Sequence, residues 1–195
     1  INIAASPFSY SKIWGKKNIF IQKAKNYNLP LFYVNQIGAQ TELIFEGASM
    51  AIHPNGIIHK ELQWFEQDYQ VIDAGEVSKS TDDHETHDTY GVIAKIHDAL
   101  ILGLRDFFSK LKFEKAVLGL SGGIDSAVSL VIAQRALGKE NLRVLSMPSD
   151  YTSEGSVSDS KKLADNLGVH YDEIPIQNIL HSFTSALEPV FRNTS

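Results

Sequence analysis

Residues 116–126 constrain this chain more than any other stretch, because they read as a buried strand, a tight turn and the start of a helix. An apolar run at 116–118 is broken at Gly122 and Gly123, and an apolar, helix-like run resumes at 127–133. A helix N-terminus presents N–H groups that have no partner within the helix, together with the positive end of the helix dipole. Glycines let the backbone approach a ligand closely. The stretch therefore predicts an anion-binding loop.

The side chains of this loop suggest a particular anion. Ser121 and Ser126 supply hydroxyls, and Asp125 supplies a carboxylate that would repel a bare phosphate. Such an acid suits a phosphate site when Mg²⁺ lies between the two, since Mg²⁺ is held by a carboxylate together with phosphate oxygens. The alternative is an ordinary strand-to-helix turn in which Ser121 is the helix N-cap. No Lys follows the glycines, so the loop is not a Walker motif.

The run Ser121-Gly122-Gly123-Ile124-Asp125-Ser126 resembles the Ser-Gly-Gly-x-Asp-Ser loop of the ATP pyrophosphatases. Members of that superfamily cleave ATP between its α and β phosphates and hold the departing pyrophosphate. The resemblance implies ATP as a substrate and Mg²⁺ as the accompanying ion, with Asp125 as a metal ligand. The ATP-binding residues that it implies are Gly119, Leu120, Ser121, Gly122, Gly123, Ile124, Asp125, Ser126 and Met147.

The chain after residue 115 alternates between strand and helix patterns. Further strands are predicted at 143–148 and 171–176, and helices at 157–167 and 178–187, with Pro189 ending the last helix. This alternation predicts a doubly wound parallel sheet of the α/β class with right-handed crossovers. Ligands of such sheets bind beyond the carboxyl ends of the strands, where the loop at 119–126 and the segment after Met147 both lie.

Residues 1–73 have a different order of elements, which predicts the end of a layered α/β domain. A helix is predicted from Ser11 to Asn28, and 35–38 is predicted to be a turn. The predicted strands are 1–5, 31–34, 43–45, 49–52, 57–58 and 69–72.

Short motifs in this first part resemble the C-terminal half of a nitrilase-type glutaminase domain. The motifs are Asn2-x-x-Ala5-Ser6-Pro7-Phe8, Tyr33-Val34-Asn35-Gln36-Ile37-Gly38, Glu42-Leu43-Ile44-Phe45-Glu46-Gly47-x-Ser49 and Asn55-Gly56. Such glutaminases use a Cys nucleophile with Glu and Lys, and the chain contains no Cys, so no catalytic glutaminase residue is expected in it. The resemblance implies that Ser6 and Lys12 contact glutamine. Their alternative roles are a turn serine and a solvated helix lysine.

An acidic, Ser- and Thr-rich stretch at 74–90 is predicted to be a linker, and its His84 and His87 are assigned no metal. The next domain is predicted to span 91–195. It begins with an amphipathic helix at 93–111, which is expected to cover the sheet of its own domain, although it could bind a partner instead.

Composition excludes several classes of function. The formal charge of −5 and pI near 5.8 provide no basic stripe for nucleic acid. There is no run of 18 apolar residues and no signal-peptide pattern, so a cytoplasmic protein without membrane contact is expected. The chain starts with Ile1 inside an apolar run, which we interpret as a cut within a domain, so that both domains are expected to be incomplete.

The run Met147-Pro148-Ser149-x-Tyr151-Thr152-Ser153-Glu154-Gly155-Ser156 resembles the second-strand loop of the glutamine-dependent NAD synthetases. The nitrilase-like first part agrees with that family. The resemblance implies a ligase of NAD biosynthesis. ATP adenylates the carboxylate of deamido-NAD, and ammonia from glutamine or from solution then displaces AMP to give NAD. A homo-oligomer is expected.

Two alternatives stay open on the sequence alone. One is another ATP pyrophosphatase, either amidating or sulfur-transferring, with a nitrilase-like neighbour. The other is a non-catalytic nucleotide-binding fragment. ATP–pyrophosphate exchange that depends on deamido-NAD would favour an NAD synthetase over the first alternative. Failure of the full-length protein to bind ATP would favour the second alternative.

Overall fold

The structure is a computed structural model that describes residues 1–79 and 91–191. The chain divides into two compact units, Ile1–Leu111 and Lys112–Ser195. No helix within the described residues is both long enough and apolar enough to cross a membrane.

The first unit contains a sheet, a hairpin and three helices among its described residues. Its strands are β1 (Asn2–Ala4), β2 (Leu31–Asn35), β3 (Ile37–Gln40), β4 (Leu43–Glu46), β5 (Met50–Ile52) and β6 (Ile58–Glu61). Its helices are α1 (Ile13–Tyr27), α2 (Ala74–Val77) and α3 (Val92–Leu111). The predicted end of α1 is confirmed, because Asn28 adopts a left-handed conformation with φ of 49° and caps the helix.

Helix α1 packs on the four-stranded sheet of this unit. The strand order is β1-β2-β5-β6, in which β1 runs parallel to β2 and the other pairs are antiparallel. Ala24 of α1 forms a buried cluster with Tyr33, Met50 and Ile52 of the sheet. Burial of this apolar surface is what holds the helix on the sheet.

Helix α3 packs on the antiparallel hairpin formed by β3 and β4. The Ala39 N–H donates to Asp106 Oδ2 at 2.7 Å, and Lys110 Nζ donates to the Ala39 carbonyl. Leu102 of the helix packs with Phe65 in a buried cluster. The sequence predicted this helix but placed it on the sheet of the following domain. That placement differs from the structure, where its polar and apolar partners belong to the preceding strands.

Two local predictions in the first unit are wrong. Residues 69–72 form no strand, and Tyr69 and Val71 are 83% and 84% exposed, because strand-forming residues need a neighbouring strand and none of the described strands pairs with this segment. Part of the predicted turn at 35–38 is instead strand, since β3 begins at Ile37 and pairs with β4.

The predicted linker at 74–90 begins with a short helical segment. Asp73 caps α2 by accepting a backbone hydrogen bond at 2.7 Å, and Val77 at its end is fully buried. Residues 80–90, which include the two linker histidines His84 and His87, lie outside the described part of the chain.

The second unit is a parallel α/β layer, as predicted. Its elements in chain order are β7 (Ala116–Gly119), α4 (Ile124–Leu137), β8 (Leu142–Ser146), α5 (Glu154–Leu167), β9 (His170–Glu173) and α6 (Gln177–Phe191). The strands are parallel and lie in the order β7-β8-β9. The α/β class with a parallel sheet is therefore confirmed.

Helices α4 and α5 contact each other and both contact β8, so one face of this sheet is covered. The opposite face is open in the unit, since Val117 is 64% exposed. On β8 and β9, Arg143 pairs with Asp172 and holds the pKa of that carboxyl at about 2. The prediction that Pro189 ends the last helix is wrong, because α6 continues to Phe191 with the proline inside it. A proline near a helix end removes only one late backbone bond.

Candidate functional site

Two parallel strands of the second unit end beside one cavity of about 270 Å³. It is lined by the end of β7 and the loop after it, by the end of β8, and by the start of α5. The lining residues are Gly119, Leu120, Ser121, Leu145, Ser146, Met147, Thr152, Ser156 and Val157. The cavity thus lies at the carboxyl ends of the strands, the edge at which the sequence predicts a ligand.

Gly122 is the residue that lets the loop lie against α5. Its φ is +83°, in the region that favours glycine, and a Cβ placed on it would lie 2.6 Å from both Cα and O of Ser156. By contrast, Gly123 has φ of −84°, which any residue can adopt, and it is the N-cap of α4. The two adjacent glycines therefore have different tasks.

Serine hydroxyls hold the loop in shape. Ser126 Oγ donates to the Gly123 carbonyl at 2.9 Å and accepts from the Ser121 N–H at 3.3 Å. The hydroxyls of Ser121 and Ser126 lie 3.1 Å apart, and Ser121 Oγ also accepts from the Gly123 N–H at 3.3 Å. The bonds from the N–H groups are long, so an anion could replace the hydroxyls as acceptor at little cost.

The start of α5 adds hydroxyls to the cavity that sequence reasoning did not assign to the site. Ser153 caps the helix, since its Oγ accepts from the Ser156 N–H at 3.2 Å. Thr152 and Ser156 line the cavity on either side of this cap. The signal that could have found them is the helix start, because a serine before an acidic first turn indicates an N-cap, and α5 begins at Glu154 rather than at the predicted residue 157.

Asp125 lies in the first turn of α4 and is exposed. The described residues contain no group of three or more His, Cys, Asp and Glu side chains able to hold a metal ion. A single exposed carboxylate beside the helix N-terminus nevertheless fits Mg²⁺ that is held mainly by phosphate oxygens. The metal assignment of Asp125 thus stays a prediction.

The other predicted ATP-binding residues fall into two groups. Gly119, Leu120, Ser121 and Met147 line the cavity, whereas Gly122, Gly123, Ile124, Asp125 and Ser126 belong to the loop and helix start beside it. Met147 is half-exposed, and its methyl carbon lies 3.6 Å from where a Cβ on Gly119 would be. A side chain at that glycine would therefore contact the methionine.

The residues predicted to bind glutamine lie in the first unit, in the segment between β1 and α1. Ser6 is half-buried, and the Asn35 side chain brackets its backbone: the Ser6 N–H donates to Oδ1 at 2.9 Å, and Nδ2 donates to the Ser6 carbonyl at 3.3 Å. Lys12 precedes α1, is exposed, and makes no side-chain cap bond to the helix. Its contact with glutamine stays a prediction.

The parallel layer, the glycine loop at a helix N-terminus and the cavity beside it define an α/β protein with a candidate ligand site at the carboxyl edge of its sheet. Residues 96–194, about half of the chain, match the family model described as NAD synthase. The chain therefore belongs to the NAD synthase family.

Similar proteins extend this result to the first unit. The glutamine-dependent NAD(+) synthetase of Synechocystis sp. is 38% identical over 99% of this chain and 35% of its own length. That of Thermotoga maritima is 35% identical over 97% of this chain and 38% of its own length. The chain thus spans about a third of the length of the curated relatives it matches.

A solved structure agrees with these relatives. The glutamine-dependent NAD+ synthetase from Acinetobacter baumannii in complex with ADP superposes with a TM-score of 0.86 and 34% identity. The match covers 100% of this chain and 38% of that one. Both parts of the resemblance seen in the sequence therefore occur together in one known fold.

Proposed function

We propose that this chain is part of an enzyme that converts deamido-NAD to NAD with ATP and with ammonia from glutamine. In this proposal, residues 1–73 are the C-terminal part of a nitrilase-like glutaminase domain and 74–90 are a linker. Residues 91–195 are the N-terminal part of an ATP-pyrophosphatase domain, in agreement with the family match at 96–194, although their first helix, α3, packs on the hairpin of the first unit. The observation that supports it best is similarity to glutamine-dependent NAD(+) synthetases over 99% of the chain, because it includes both units.

The proposed reaction has two steps in the second domain. A carboxylate oxygen of deamido-NAD attacks the α-phosphorus of ATP, and the bond to the β-phosphate oxygen breaks, so that pyrophosphate leaves. Ammonia then attacks the acyl carbon of the adenylate, AMP leaves with the bonding electron pair, and the nitrogen loses a proton to give the amide of NAD. Glutamine hydrolysis in the first domain is the proposed source of ammonia.

The loop of the second unit suits the first of these steps. Its N–H groups and the Ser121 hydroxyl are fixed before any ligand arrives, and such preorganised donors stabilise charge that gathers on a departing phosphate. Asp125 is the residue that would hold Mg²⁺. When bound, this ion would neutralise part of the negative charge of the phosphates. Thr152 and Ser156 also line the cavity and each carries a hydroxyl.

The decisive experiment is ATP–pyrophosphate exchange by a full-length enzyme that contains this sequence. Exchange that requires deamido-NAD supports the proposal. Exchange driven by a different carboxylate, or by a sulfur-accepting nucleic acid, would instead place the chain with another ATP pyrophosphatase. A homo-oligomeric state and a cytoplasmic location stay predictions.

The isolated 195-residue chain is expected not to hydrolyse glutamine. It contains no Cys, and replacing a thiolate by a serine requires a base and an orienting group beside that serine. The measurement is glutamate formation from glutamine by the purified chain, with a full-length enzyme as the positive control. Glutamate release above the buffer rate would contradict the prediction.

Lys12→Ala in the full-length enzyme is expected to raise the KM for glutamine roughly tenfold or more, since a charge-assisted hydrogen bond contributes about 1.5–3 kcal/mol. Ammonia-driven synthesis should stay near normal. Lys23→Ala is the matched control, because Lys23 is likewise an exposed lysine and lies within α1, the helix that Lys12 precedes. Equal losses with both nitrogen donors would mean that Lys12 is structural.

A further inference from the structure

A group of buried polar side chains lies beneath the segment that carries Ser6. Tyr33 and Asn35 are neighbours on the same face of β2, with 2% and 8% of their surface exposed. Glu46 at the end of β4 is 4% exposed. Burying polar groups costs free energy unless they are bonded, so their arrangement requires an explanation.

Asn35 has a clear bonding role. Its side chain accepts from the Ser6 N–H and donates to the Ser6 carbonyl, which fixes the position and direction of that peptide. Its own N–H donates to Ser49 Oγ at 3.0 Å, which holds Asn35 in place from the other side. Because both backbone groups of Ser6 are satisfied in this way, the backbone that carries its side chain is held in a defined position.

Tyr33 is different, because its hydroxyl is buried without a hydrogen bond of normal geometry among the described residues. Burial raises its pKa, the nearby Ser6 side chain opposes that rise, and the Glu46 carboxylate adds to it. Asn35 holds the Ser6 peptide against β2 and lies on the same face of that strand as Tyr33, so the Ser6 side chain lies near the Tyr33 hydroxyl. Glu46 is similar: Oε1 is paired with Lys16, whereas Oε2 is buried without a partner in the described part of the chain.

Packing alone does not account for the Tyr33 hydroxyl. A phenylalanine would fill the same space, stack on Phe20 in the same way, and avoid the cost of an unbonded buried hydroxyl. The free-energy cost of burying the Tyr33 hydroxyl is therefore consistent with a hydrogen bond that forms only when a ligand is bound.

We propose that Asn35 and Tyr33 are positioning residues for Ser6, with Asn35 fixing its backbone and Tyr33 orienting its hydroxyl toward bound glutamine. In the liganded state the Tyr33 hydroxyl donates to Ser6 Oγ, and the Ser6 proton is left for an oxygen of the ligand. This inference rests on the proposed role of Ser6 in glutamine binding. It assigns to two β2 residues a task that the sequence motif does not indicate.

The test uses a full-length enzyme that contains this sequence, with NAD synthesis measured separately with glutamine and with ammonium chloride. Tyr33→Phe is expected to raise the KM for glutamine roughly fivefold, the effect of losing one neutral hydrogen bond, and to leave ammonia-driven synthesis unchanged. Its melting temperature should be equal or higher, because the variant removes an unbonded buried group. Asn35→Ala is expected to raise the KM further and to lower the melting temperature.

Tyr27→Phe is the matched control, since it makes the same chemical change at a largely exposed tyrosine of α1. It should leave both the melting temperature and the KM for glutamine unchanged. Unchanged glutamine kinetics in Tyr33→Phe would overturn the role of Tyr33 even if Asn35→Ala fails to fold. Equal losses with glutamine and ammonia in either variant would mean a merely structural role.

Ser6→Ala separates this inference from the proposal on which it rests. If Ser6→Ala leaves the KM for glutamine unchanged, the role of Ser6 itself is wrong. If it raises the KM whereas Tyr33→Phe and Asn35→Ala do not, Ser6 binds glutamine and only the positioning role is overturned.

Discussion

Gly122→Ala is expected to lower the free energy of unfolding by about 2–4 kcal/mol, because the added methyl group causes both backbone strain and steric overlap. The φ of +83° disfavours any residue with a Cβ, and the Cβ itself would lie 2.6 Å from the backbone of Ser156. Backbone atoms at the start of α5 cannot rotate away as a flexible side chain could. The loop or the helix must therefore shift, and the cavity between them changes shape.

Gly123→Ala is the matched control, because it makes the same chemical change one residue later in the same loop. Its φ is −84°, and the nearest atom to an added Cβ is Ser121 Oγ at 3.5 Å, an ordinary contact. Alanine is a poorer N-cap than glycine, so we expect a loss of about 0.5–1 kcal/mol, well below the Gly122 effect. Denaturant unfolding of both variants in the full-length enzyme checks this difference. Similar losses would show that the contact with Ser156 does not constrain the loop.

Local signals explain why the loop unit could be predicted from its sequence. An apolar run, two glycines and an apolar helix define β7, the loop and α4 without reference to distant residues. The N-terminal boundary of α5 was predicted three residues late, at 157, although Ser153 carries the capping signal. These elements place Ser121 and Met147 at one edge of the sheet, which is the part of the site that the sequence could predict.

Long-range contacts explain what the sequence could not predict. Strand β3 exists because it pairs with β4, whereas residues 69–72 have strand-forming side chains but pair with no strand in the described part of the chain. The packing of α3 on the hairpin depends on Asp106 accepting from Ala39, 67 residues away. Likewise, the contribution of Ser156 to the cavity depends on its close approach to the glycine loop, which no periodic pattern encodes.

Asp125→Asn in the full-length enzyme is expected to reduce ATP–pyrophosphate exchange by a factor of about 100 or more, since a metal ion bound at phosphate oxygens contributes several kcal/mol. An amide still offers an oxygen, but it is neutral and binds Mg²⁺ poorly. Without the ion, a carboxylate beside a triphosphate would repel it by roughly 1–4 kcal/mol at partly screened distances. The same side chain is therefore unfavourable without Mg²⁺ and favourable with it.

The competing interpretation makes Asp125 an acid that only complements the helix dipole, a contribution of about 0.3–1 kcal/mol to stability. Glu154→Gln tests it directly, because Glu154 is an exposed acid in the first turn of α5 and does not line the cavity. Both variants should lose a similar, small amount of stability in thermal unfolding. Only Asp125→Asn should weaken the Mg²⁺ dependence of ATP binding, measured by titrating ATP at several Mg²⁺ concentrations. If the two variants bind ATP equally well at every Mg²⁺ concentration, Asp125 only complements the helix dipole and is not a Mg²⁺ ligand.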